Sequence, residues 1–124
     1  MMATKCRVAL ISVAGETRTA LAGYLKSAGF DVHECDELSV ASGFGALVVL
    51  SPYDTSSDAL VAEVVSWIKL TKTQRIVVVT SKPTALRDLV LSHGERLYVL
   101  PAPVFGWDLV DVLRSTEPTR PRSA

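Results

Sequence analysis

The sequence is poor in the residues that build covalent and metal frameworks. Its two cysteines, Cys6 and Cys35, are too few for a disulfide scaffold, and no C-x-x-C pair occurs. Its two histidines, His33 and His93, stand apart from each other and from the cysteines. A structural zinc site takes about four Cys or His ligands, so no metal is expected through these groups. A surplus of either charge is also missing: 13 Lys and Arg balance 13 Asp and Glu, for a net charge of +0. Phosphate backbones are gripped by an excess of basic side chains, which argues against a generic polyanion binder. No apolar run approaches the roughly 20 residues of a membrane span. No charged-then-apolar leader opens the chain, so the expected compartment is the cytoplasm. No internal repeat, nucleophile elbow, Walker loop or HExxH is present. With His33 in mid-strand and His93 at a helix end, no catalytic constellation emerges, and the chain is expected not to be an enzyme.

What is present is globular composition: 124 residues, 48% hydrophobic and 21% charged, enough for one domain. Apolar β-branched runs alternate with amphipathic stretches. Arg7 to Ser12 reads as a buried strand. Glu16 to Ser27 reads as a helix, with Leu21, Tyr24, Leu25 and Ala28 spaced along one face, and Gly29 suits its C-cap. Phe30 to Cys35 reads as a strand, and Asp36 to Ala41 as a helix of about two turns, broken by Gly43 and Gly45. Ala46 to Ser51 is the clearest strand. A turn-rich loop from Pro52 to Ser57 follows, with Thr55 and Asp58 spaced as a capping box. The next helix runs to about Leu70 and buries Leu60, Val61, Val64, Trp67 and Ile68. Arg75 to Thr80 is a strand, Thr84 to Ser92 a helix, Leu97 to Leu100 a strand, and Trp107 to Arg114 a helix with Leu109, Val110 and Leu113 inward. The expected domain is residues 1–115, and residues 116–124 have the polar, Pro- and Arg-containing composition of a tail or linker.

Five strands alternating with five helices require crossover connections and hence a parallel sheet covered on both faces. The expected class is α/β: a doubly wound (βα)5 fold with a five-stranded parallel sheet. Ligands in such sheets bind at the carboxyl ends of the strands. That directs attention to Ser12–Gly15, Ser51–Asp54, Thr80–Lys82 and Pro101–Val104.

At these positions the sequence resembles the receiver domain of two-component response regulators, over about residues 5 to 115. Arg7-Val8-Ala9-Leu10-Ile11-Ser12-Val13 matches the family's first strand, with its metal-binding acidic pair falling on Ser12 and Val13. Gly29-Phe30 matches the Gly-aromatic pair after the first helix. The phospho-acceptor Asp falls on Ser51, and Asp58-Ala59-Leu60 matches Asp-Gly-Leu seven residues on. Thr80 matches the switch Thr, and Ala102-Pro103-Val104 the Lys-Pro-Phe after the fifth strand. The resemblance therefore implies a receiver scaffold, with strand order 2-1-3-4-5, and a degenerate phosphorylation pocket at Ser12, Val13, Ser51, Thr80 and Ala102. Ser12 and Val13 cannot supply a dicarboxylate magnesium site, Ser51 forms no acyl phosphate, and Ala102 carries no ammonium. Asp54 reads as a turn residue and Lys82 as solvated. No cofactor is expected.

The function implied is a phosphorylation-independent pseudo-receiver in signal transduction. It would be the amino-terminal regulatory domain of a transcription regulator or a stand-alone adaptor, with DNA contacted only through a separate domain if one follows. The partner would be another protein or a second copy. In the family such contacts commonly use the fourth helix, fifth strand and fifth helix. Here that face would carry Arg87, Asp88, Tyr98, Asp111 and Arg114, with both charge signs for a self-complementary contact. The resemblance also implies a cis bond before Pro103. A rival from another class is a flavodoxin-like, FMN-binding electron carrier. Ser12-Val13-Ala14-Gly15-Glu16-Thr17 partly resembles a flavodoxin phosphate loop at a helix N-terminus, with Tyr53 placed to stack on a flavin.

Overall fold

In the computed structural model, residues 7–12, 15–35, 45–51, 56–71, 74–94, 96–102 and 104–115 are described. Five short apolar runs become strands β1 (Arg7–Ile11), β2 (Asp31–Cys35), β3 (Ala46–Leu50), β4 (Arg75–Thr80) and β5 (Leu97–Pro101). All pair in parallel, as the alternation of strand and helix demands, and their order is β2-β1-β3-β4-β5. The helices are α1 (Glu16–Ser27), α2 (Ser57–Thr71), α3 (Arg87–His93) and α4 (Gly106–Ser115). The short helix expected over Asp36 to Ala41 lies outside the described residues.

Because successive strand residues point to opposite faces, each strand feeds two cores. Val8, Leu10, Val32, Val48, Val77 and Val79 meet α1 and α4 through Leu21, Ala22, Leu25, Leu109 and Leu113. Ala9, Ile11, Leu47, Val49, Ile76 and Val78 meet α2 and the segment before α3 through Leu60, Val64, Ile68 and Leu86. This accounts for the unbroken apolar strands, since both faces are covered. The outer strands are β2 and β5. The first bears Asp31, His33 and Glu34, and the second ends in Pro101.

Three local readings are corrected. In α1 the buried positions are Leu21, Ala22 and Leu25, whereas Tyr24 is 44% exposed. The inward stripe is rotated toward Ala22, and the Tyr24 ring lies over α4 at the rim. The side-chain cap of α2 is Ser56, whose Oγ accepts from the Ala59 N–H at 3.1 Å; Thr55 lies outside the described residues. The helix expected from Thr84 begins instead as a 3-10 turn, Pro83–Leu86, and becomes α-helical only at Arg87. Pro83 opens that turn, where its missing N–H costs nothing.

The close of α1 follows the sequence. Gly29 adopts φ 102°, a conformation that favours glycine. The Gly29 and Phe30 N–H groups then donate to the Lys26 and Leu25 carbonyls at 3.0 and 3.1 Å, turning the chain into β2.

Candidate functional site

The parallel register brings the strand ends to one edge. Ser12 N–H donates to the Cys35 carbonyl at 3.1 Å, Ser51 N–H to Val79 at 2.8 Å, and Ala102 N–H to Thr80 at 2.8 Å. Ser12, Ser51, Thr80 and Ala102 therefore lie side by side just past the carboxyl ends of β1, β3, β4 and β5, where open α/β sheets bind ligands. Val13, Asp54, Tyr53 and Pro103 are outside the described residues, as is the peptide bond expected to be cis.

Thr80 is 2% exposed and is the one buried polar residue among those described. Its Oγ1 accepts from the Lys82 N–H at 3.0 Å, which turns the chain at the end of β4. The Ser51 Oγ is buried with no hydrogen-bond partner among the described residues. The hydroxyl thus stands unanswered where the resemblance places an acceptor carboxylate.

The residue that sequence reasoning missed is Arg18. From the first turns of α1 its guanidinium reaches over the ends of β1 and β2. Nη1 donates to the Ser12 carbonyl at 2.7 Å and to the Cys35 carbonyl at 2.9 Å, and Nε to Glu34 Oε1 at 3.1 Å. The side chain is only 11% exposed. A planar fork of fixed donors suits such a cluster of oxygens. In sequence Arg18 looks like one more charge on a solvated helix face, because carbonyl positions are invisible before the fold exists.

A magnesium site would need hard oxygen ligands, carboxylates above all. The described groups do not fit. The strand ends present the hydroxyls of Ser12, Ser51 and Thr80, and a permanent cation holds the Ser12 carbonyl. Among the described residues no group of three or more His, Cys, Asp or Glu side chains is arranged to hold a metal. Cys35 is buried, and its Sγ donates to the His33 carbonyl at 3.7 Å; Cys6 lies outside the described residues.

The candidate interaction residues are carried by three elements, α3, β5 and α4. Arg87 and Asp88 are exposed on α3, and Asp111 is exposed on α4. Tyr98 is half-buried and packs against the α1 and α4 core. Arg114 turns toward α1, where its Nη2 donates to the Ala28 carbonyl at 3.1 Å.

No family model and no curated protein matches the chain. Solved structures do. The chemotaxis protein CheY4 of Vibrio cholerae superposes with a TM-score of 0.67 at 13% identity, over 92% of this chain and 100% of that one. The fold is that of the response-regulator receiver domain. A CheY-like receiver domain from Methylobacillus flagellatus gives 0.64 at 21% identity, over 92% and 100% of the two chains. A Burkholderia pseudomallei response regulator, solved with a phosphorylated aspartic acid, calcium ion and citrate, gives 0.62 at 16% identity, over 95% and 76%. Among the described residues, no helix of this receiver fold is long and apolar enough to cross a membrane.

Proposed function

We propose that the chain is a pseudo-receiver: a signalling module that neither accepts nor transfers a phosphoryl group and acts by binding protein surfaces. The supporting observation is the side-chain set at the carboxyl edge of the sheet. A serine whose hydroxyl lacks a partner among the described residues stands at the end of β3, and a guanidinium is clamped on the β1 and β2 carbonyls. Acyl-phosphate formation needs a carboxylate nucleophile and a divalent cation held by carboxylates. The Burkholderia pseudomallei relative holds a phosphorylated aspartate and a calcium ion; this chain has Ser51, Ser12 and Val13 at the corresponding points of the family pattern.

In this reading the module is not an enzyme and takes no cofactor. Its output is contact with another protein or a second copy, in the cytoplasm, and DNA is reached only through a separate domain. A transcription regulator is the setting we favour. The test is incubation with acetyl phosphate and Mg²⁺ followed by intact-mass measurement. The expected result is no stoichiometric gain of a phosphoryl group. A gain that disappears in Asp54→Ala or Ser51→Ala overturns the reading.

A further inference from the structure

Scattered exposed apolar side chains are normal on any protein surface, but contiguous ones mark contact sites. Among the described residues five large hydrophobic side chains are exposed: Tyr24, Leu70, Leu91, Phe105 and Trp107. Leu70 and Leu91 stand singly on α2 and α3. The three aromatics gather where α1 meets the start of α4. Gly106 lies so close to Tyr24 that a Cβ there would sit 2.5 Å from the ring atoms Cγ and Cδ1. Phe105 stacks on Trp107, with ring centroids 4.7 Å apart and planes 3° from parallel.

That stack covers one face of the Trp107 indole. The residue is nonetheless 55% exposed, so the other face is open to a partner. An indole face attracts a guanidinium more strongly than any other aromatic surface does. The same helix stripe supplies one. Trp107, Val110 and Arg114 recur at i, i+3 and i+7, so they align along one side of α4. Trp107 and Arg114 are two turns apart, about 10.5 Å at 1.5 Å per residue. Arg114 is anchored at the far end by its bond to Ala28. Between Arg114 and the aromatics runs a groove of about 360 Å³ lined by Tyr24, Ser27, Ala28, Val110 and Arg114.

We propose that a second copy of this chain docks on the α1–α4 face, with α4 antiparallel to α4 about a two-fold axis level with Val110 and Asp111. Residues 107 and 114 are symmetric about that point. Each Arg114 then meets the open indole face of the partner's Trp107. Such a contact is isologous, because one stripe carries both the aromatic acceptor and the cation that fits it. A foreign partner would have to supply both groups at the same spacing; a second copy already does. Trp and Arg are also the residues most enriched at energetic centres of interfaces. The inference rests on the reading that the module works through protein contact, and it moves that contact from the α3–β5–α4 face to the α1–α4 face.

The test is sedimentation equilibrium of the full chain, loaded up to about 1 mM, the weak end of specific association. The expected result is a reversible dimer. Each half-exposed Trp–Arg contact is worth about fivefold, so Trp107→Ala, which removes both, weakens the dimer roughly 25-fold or more. Trp107→Arg alone sets guanidinium against guanidinium at both ends and gives a monomer. Mixing Trp107→Arg with Arg114→Trp restores a Trp–Arg pair at each end, so the mixture forms a heterodimer. Circular dichroism of each variant shows that the fold is kept. A monomeric wild type, or a mixture that does not associate, overturns the inference. So does a dimer weakened by reversing Arg87 and Asp88 but untouched by Trp107→Arg. None of these results bears on the acetyl phosphate experiment, which tests the pseudo-receiver reading separately.

Discussion

Replacing Arg18 with Met keeps the aliphatic stem and removes the guanidinium from three acceptors: the Ser12 carbonyl, the Cys35 carbonyl and the Glu34 carboxylate. The three are not equal. Glu34 is 30% exposed, and pairs of that kind contribute about 0–1 kcal/mol. The Cys35 carbonyl keeps the Ser12 N–H at 3.1 Å, so it is not orphaned. The Ser12 carbonyl loses the shortest bond of the set, at 2.7 Å. Hydrogen bonds to charged donors are worth about 1.5–3 kcal/mol each. Allowing for water at the strand ends, Arg18→Met is expected to cost about 2–3 kcal/mol. Arg18→Lys keeps the charge but cannot span two carbonyls, and is expected to recover roughly half of that. Glu34→Gln is expected to cost under about 0.5 kcal/mol. Urea unfolding with an unchanged m-value reads the difference directly. In a thermal scan Arg18→Met should lower Tm by roughly 6–15 °C for a chain of this size. If Glu34→Gln costs as much as Arg18→Met, the ion pair and not the carbonyl clamp holds α1 to the sheet. If Arg18→Met costs less than about 0.5 kcal/mol, the clamp contributes nothing and the argument is wrong.

Three further substitutions probe the packing. Ser51→Ala removes a buried hydroxyl without a partner among the described residues, so urea unfolding should show stability unchanged or raised by up to about 1 kcal/mol. Thr80→Val removes the Oγ1 that accepts from the Lys82 N–H and should cost about 1 kcal/mol by the same assay. Gly106→Ala drives a Cβ into the Tyr24 ring and should destabilise by about 1–3 kcal/mol, despite the better helix propensity of Ala. In a Tyr24→Ala background the same change should become neutral or stabilising, because only the propensity gain, up to about 1 kcal/mol, remains.

The sheet was legible because its signal is redundant. Five apolar runs at crossover spacing leave few topologies, and Gly29-Phe30 marked the turn out of α1 correctly. Tyr24 was misplaced because a helical stripe read from sequence is uncertain by about one position, and Tyr pays little for standing half in water. Arg18 was missed for a deeper reason. Its partners are two backbone carbonyls at strand ends, and no residue pattern encodes where those oxygens will lie. Gly106 gave no signal either, since a glycine beside a helix start also reads as an ordinary turn. The pocket residues Ser12, Ser51, Thr80 and Ala102 were legible from the strand ends and the receiver resemblance, because a parallel ladder carries strand ends to a common edge whatever the side chains are.

The two outer strands bear on how this molecule can accumulate without harm. An unpaired strand is a template for another chain to add to, and long flat apolar edges seed fibrils. Here β2 is five residues long and carries Asp31, His33 and Glu34, so a strand laid against it meets charge. On the other side β5 ends in Pro101, which has no N–H to offer a newcomer. Growth by sheet extension meets charge at one margin and a missing donor at the other. Copies of the chain crowded together should meet through their helical layers and form finite particles, not filaments.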